Sequence, residues 1–100
     1  MAKDFETFRQ SLTRTAPPDD CGLAEQSLWW DAKGDWDKAH ALADQDHGPA
    51  GSWVHAYLHR KEGDRGNAGY WYRRAGKSMP EKIGLDEEWN EIAKALIGTG

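Results

Sequence analysis

The sequence predicts an all-α fold: two stacked helix-turn-helix hairpins flanked by N- and C-terminal capping helices. Three observations predict it. Apolar residues recur at helical spacing along the chain, and no segment shows strand alternation or an Asn-Gly hairpin turn. Glycine and aspartate stand together at the breaks, where a helix end and the next N-cap belong. A 29-residue shift, from Gly34 to Gly63, overlays the two central segments.

The elements follow in order. A first helix spans about 5–14, with Asp4 as N-cap and Phe5, Phe8 and Leu12 on one face. Pro17 and Pro18 in "TAPPDD" end it. A second helix covers about 23–33. Gly34 fits its C-terminal turn, and Asp35 fits the N-cap of a third helix over 36–44. "QDHGPAG" is a loop, and Pro49 fits the first turn of a fourth helix ending near Glu62. Gly63 and Asp64 repeat the glycine–aspartate turn. The fifth helix places Ala68, Trp71, Tyr72 and Ala75 on one face. Gly66 and Gly69 in its first turns imply close backbone approach by a neighbouring helix. Trp30, Ala68, Trp71 and Tyr72 are expected to be mostly buried. A sixth helix, capped by Asp86, carries the stripe Trp89, Ile92, Ala93 and Leu96.

The glycines from Gly63 to Gly69 are not a phosphate cradle. The preceding "WVHAYLHRKE" is helical, whereas a dinucleotide fingerprint needs a strand and a P-loop needs its Gly-Lys-Ser/Thr ending.

Bulk composition narrows the functional classes. One hundred residues fit one domain, 1–100, and 38% hydrophobic with 30% charged residues is a globular profile. Net charge −4 argues against a nucleic-acid partner. Arg73, Arg74 and Lys77 cluster at a helix end, where cations complement the dipole. Cys21 is the single cysteine, so no internal disulfide forms. "MAKDFETF" has no apolar signal core, and no run reaches the roughly 18 apolar residues of a membrane span. The expectation is a cytoplasmic protein, complete from Met1, with no membrane partner.

Few residues offer chemistry. His55 and His59 stand four apart with Glu62 three further on, one face that could hold zinc. The order "HAYLH" lacks the metalloprotease His-Glu pattern, and the overlay sets His59 on Trp30, a packing position. His40 and His47 read as isolated. The carboxylates fit caps and first turns. Cys21 has acidic neighbours, which do not activate a thiolate.

"AGYWYRRAGKSMP" supplies Ala68, Tyr72, Ala75 and Pro80 at the spacing of a tetratricopeptide second helix, and "NAGYWYRRAG" resembles the Sel-one-like relatives. The resemblance covers about Leu23 to Pro80, in units of about 23–46 and 52–80, with capping helices at about 5–14 and 86–97. In the first unit Ala43 and Asp46 stand where the family has an aromatic and an alanine, and the period is shorter than the family's usual one. The resemblance implies a non-catalytic protein- or peptide-binding module, without cofactor. Carried over by position, its inner face comprises Ala24, Leu28 and Asp31, then Trp53, Tyr57 and Arg60. The candidate partner-binding set is Leu28, Asp31, Trp53, Tyr57 and Arg60. Trp53 and Tyr57 offer apolar area, and Arg60 can fork onto a ligand carboxylate. The same aromatics could instead be core, and Asp31 could pair with Arg60. Two repeats are few, so homodimerisation is a second expectation. The alternative function is a small helical metal-binding protein or enzyme using His55, His59 and Glu62.

Overall fold

The computed structural model describes residues 4–97, and those residues form six α-helices and no strand. Helix α1 spans Phe5–Gln10 and runs into a 3-10 turn over Ser11–Thr13. The others are α2 (Leu23–Ala32), α3 (Trp36–Gln45), α4 (Pro49–Glu62), α5 (Arg65–Ala75) and α6 (Leu85–Ile97). Helices α2 and α3 form one hairpin, α4 and α5 a second, and α4 packs on both α2 and α3.

The two hairpins turn by the same device. Gly34 and Gly63 take left-handed backbone, with φ of 90° and 89°. Their amides donate to the carbonyls of Asp31 and Arg60. The next amides, of Asp35 and Asp64, donate to the carbonyls of Trp30 and His59. The same aspartates then cap the following helix, accepting from the amides of Lys38 and Asn67. Ala39 and Ala68 are fully buried at equivalent positions. Gly76 closes α5 in similar left-handed geometry, with φ 73°.

Close backbone approach occurs at Gly51, not at Gly66 or Gly69. A Cβ on Gly51 would lie 2.1 Å from the Asp46 carbonyl oxygen, so only glycine lets α4 start against the end of α3. A Cβ on Gly66 or Gly69 would meet only ordinary neighbours, at 3.9 Å and 3.7 Å. The Asp46 carboxylate also accepts the Gly48 amide, tightening the loop. The Trp36 indole N–H donates to the Leu58 carbonyl at 3.0 Å, which fixes α3 against α4 further along.

Helix α6 crosses α2 and α4, the first helices of the two hairpins. It begins at Leu85, so Asp86 lies in the first turn and is not the cap. Trp89, Ile92 and Ala93 are buried. The Trp89 indole N–H donates to the Leu28 carbonyl, and Phe8 of α1 stacks on the Trp89 ring at 5.9 Å. Glu88 is buried and accepts from Arg60 at 2.7 Å and from the Tyr72 hydroxyl. Trp29 is fully buried and donates to Ser11, which donates to the Phe8 carbonyl. Ala68 and Tyr72 are buried as expected. Trp30 and Trp71 are only half-buried, each with a cationic side chain over its indole ring, from Lys38 and Arg74 respectively.

Four substitutions separate these roles. Gly51→Ala should cost about 1–3 kcal/mol in urea melts by forcing α3 and α4 apart, whereas Gly69→Ala should be neutral or gain up to about 1 kcal/mol. Glu88→Ala should cost about 3–5 kcal/mol, because it leaves Arg60 charged, largely buried and short of its partner. Glu88→Gln, which keeps a hydrogen-bond acceptor, should cost less than Glu88→Ala in the same melts.

Candidate metal site

The stripe expected to bind a partner is not an open groove, because α6 lies across it. Leu28, Asp31 and Tyr57 are buried. Trp53 is half-buried, with the Lys77 ammonium 4.2 Å above its ring. Arg60 is occupied, donating to Glu88 and, at 2.6 Å, to the Ile83 carbonyl. Asp31 pairs with Lys61 at 2.9 Å rather than with Arg60, and accepts from the Tyr57 hydroxyl at 3.1 Å. Burial, then the Asp31 charge, push the Tyr57 hydroxyl up, so it stays a protonated donor. What remains beside Asp31 is a cleft of about 330 Å³. That is room for a small molecule or a short side chain, not for a helix.

A different constellation forms between α3 and α4. His40 of α3 faces His55 and His59 of α4, and donor atoms of the three rings all lie within 4.8 Å of one another. Ring centroids are 4.6 Å apart for His40–His55, 5.3 Å for His40–His59 and 4.9 Å for His55–His59. His40, which the sequence left isolated, is therefore part of a cluster. His47 stays outside it.

Local physics explains the convergence. His55 and His59 are one turn apart on α4 and share a face. The Gly51 contact and the Trp36–Leu58 bond press α3 onto that face. Tryptophans wall the site: Trp36 stacks on His40, and Trp71 stacks on His55 with centroids 3.9 Å apart.

The rings differ in their commitments. Glu62 Oε2 lies 2.6 Å from His59 Nδ1. An ionised carboxylate only accepts, so Nδ1 carries a proton, and in the neutral ring Nε2 keeps its lone pair. Glu62 thus orients His59 from behind, as carboxylates do for metal-bound imidazoles. His40 and His55 exchange no ring hydrogen bond with any described residue. No fully buried side-chain nitrogen among the described residues lacks a partner, so the His55 ring nitrogens retain a sliver of solvent access. His55 is held down to about 4 from 6.5, first by burial, then by His40 and His59, with Asp44 acting the other way. It is neutral at pH 7, the form that binds a metal.

Zn–N bonds of about 2.0–2.1 Å set donor atoms roughly 3.3 Å apart around one ion. The donor atoms, within 4.8 Å of one another, would have to draw closer to reach that spacing. A second grouping, His59 with Glu62 and Asp64, is weaker. Glu62 is bonded to His59, and Asp64 gives both oxygens to Asn67.

Searches against protein-family models, curated proteins and solved structures find no match to this chain.

The metal-free protein should lose stability as pH falls from about 6.5 to about 4. In that window unfolded His55 takes up a proton and folded His55 does not, so the unfolded state binds more protons. NMR titration of the His55 ring checks this. A ring that titrates near 6.5 in the folded protein would contradict the packing described.

Proposed function

We propose that this chain is a non-catalytic helical metal-binding domain that holds a zinc-class transition ion on His40, His55 and His59. One observation carries the reading: three imidazoles from two helices converge with their donor atoms within 4.8 Å, and a carboxylate orients one from behind. Neutral imidazole suits zinc, copper, cobalt and nickel, and the cluster contains no thiolate.

The test is direct. Metal-free protein should bind one equivalent of Zn²⁺ in calorimetry and melt at a higher temperature with the ion present, since a ligand selective for the folded state stabilises it. His40→Ala, His55→Ala and His59→Ala should each lose most of the binding while the far-ultraviolet dichroism stays helical. Glu62→Gln should weaken binding roughly 10–100-fold. Wild-type protein that takes up no ion would end the reading.

The repeated turn geometry supports a second reading, a tetratricopeptide-like scaffold for a protein or peptide partner. Gly34 matches Gly63, and Asp35 matches Asp64, in backbone angle and hydrogen bonding alike. With α6 across α2 and α4, a peptide seeking Leu28, Asp31, Trp53, Tyr57 and Arg60 would have to displace that helix.

A further inference from the structure

Two buried carboxylates, Asp31 and Glu88, are each held by a phenol and a cation, and they differ in what lies outside them. Around Glu88 the set is sealed: the Arg60 side chain is 14% exposed and donates also to the Ile83 carbonyl. Around Asp31 it is open. The Lys61 side chain is 40% exposed, and Asp31, Tyr57 and Lys61 all line the cleft of about 330 Å³ between α1, α2, α4 and α6. Holding a carboxylate inside this core does not require a cleft, as Glu88 demonstrates.

The floor of the cleft has hydrogen-bonding capacity left. Each Asp31 oxygen accepts one bond, from Tyr57 or from Lys61, and a carboxylate oxygen can take about two. The Lys61 ammonium likewise has donors beyond the one it gives Asp31.

Two further charges face the same space. Arg9 comes from α1 and Asp86 from the first turn of α6. Both are exposed, and neither side chain makes a hydrogen bond or ion pair with a described residue, so they share a cavity without pairing across it. The Arg9 guanidinium rests over the Phe5 ring at 6.0 Å. Leu12 and Trp89 add apolar wall.

The signs select the ligand. Arg9 and Lys61 balance Asp31 and Asp86, so the lining is neutral in sum and carries both charges. A simple anion would meet the two aspartates as well as the cations, and a simple cation would meet Arg9 and Lys61. A molecule bearing both signs answers all four groups. The volume lies at the small end of the range of about 300–1,000 Å³ for ligand pockets, so the molecule is small.

We propose that this cleft binds a free amino acid with an apolar side chain. Its carboxylate lies on the Arg9 fork and the Lys61 ammonium, its ammonium on Asp31 and Asp86, and its side chain against Leu12 and Trp89. The site shares no residue with the histidine cluster and does not depend on the metal-binding reading.

NMR titration of the full-length chain with L-leucine tests this, with leucinamide and isocaproate as analogues that each lack one of the two charges. Leucine should give saturable shifts, largest at the Trp89 indole N–H and at the amides around Asp31, Lys61 and Asp86. Each analogue should bind at least roughly ten-fold more weakly, the loss expected for one charged hydrogen-bonding group. Arg9→Gln should weaken leucine by a similar factor without weakening leucinamide. Asp86→Asn should weaken leucine without weakening isocaproate. Both replaced side chains are exposed, so both variants should keep the helical far-ultraviolet dichroism. No saturable shift, shifts confined to other faces, or an analogue binding as tightly as leucine would overturn the assignment. So would a leucine affinity unchanged in either variant.

Discussion

Helix α4 is packed on by α2, α3, α5 and α6, and eight of its residues are buried. A helix enclosed in this way must satisfy its polar side chains inside the fold, since an unpaired buried polar group costs about 1–3 kcal/mol. Tyr57 meets that constraint with Asp31, and His59 with Glu62. His55 meets it differently, lying between an indole and two other imidazoles. The enclosure that makes α4 the centre of the core also gathers the histidines. Fold and candidate site are consequences of one packing arrangement.

Two buried carboxylates share a pattern around this helix. Asp31 is held by the Tyr57 hydroxyl and Lys61, and Glu88 by the Tyr72 hydroxyl and Arg60. In each case a phenol and a cation share one carboxylate. Burial leads in holding both tyrosine hydroxyls protonated, and so available as donors. The α6 stripe of Trp89, Ile92 and Ala93 supplies apolar contact but little directional preference. Glu88 and the Trp89 indole supply the direction, tying α6 to α4, α5 and α2 at defined atoms.

The turns were legible in the sequence because their causes are local. Gly34, Asp35, Gly63 and Asp64 act within a few residues of themselves, through backbone angle and a capping carboxylate. Tertiary facts were less accessible. Gly66 and Gly69 invited a close-approach reading, but the approach falls at Gly51, where the partner is a carbonyl across a loop. His40 looked isolated because its companions lie on the next helix. The available signal was positional: His40 and His55 stand at nearly equal chain distances from His47 in the loop, so antiparallel helices bring them level. The destination of α6 could not be read at all. Its apolar stripe announced that it would dock, but not that it would cover Leu28 and Tyr57.

Gly76 ends α5 with the backbone geometry of Gly34 and Gly63, yet the residue after it is Lys77, where the earlier turns have Asp35 and Asp64. A lysine cannot accept the amides that open a helix, so the turn is made but no new hairpin starts from it. The chain instead runs through Met79 and Pro80 before α6 turns back over α2 and α4. The glycine turn thus appears three times but its capping aspartate only twice, and the segment after the third turn packs back on the first helices of both hairpins.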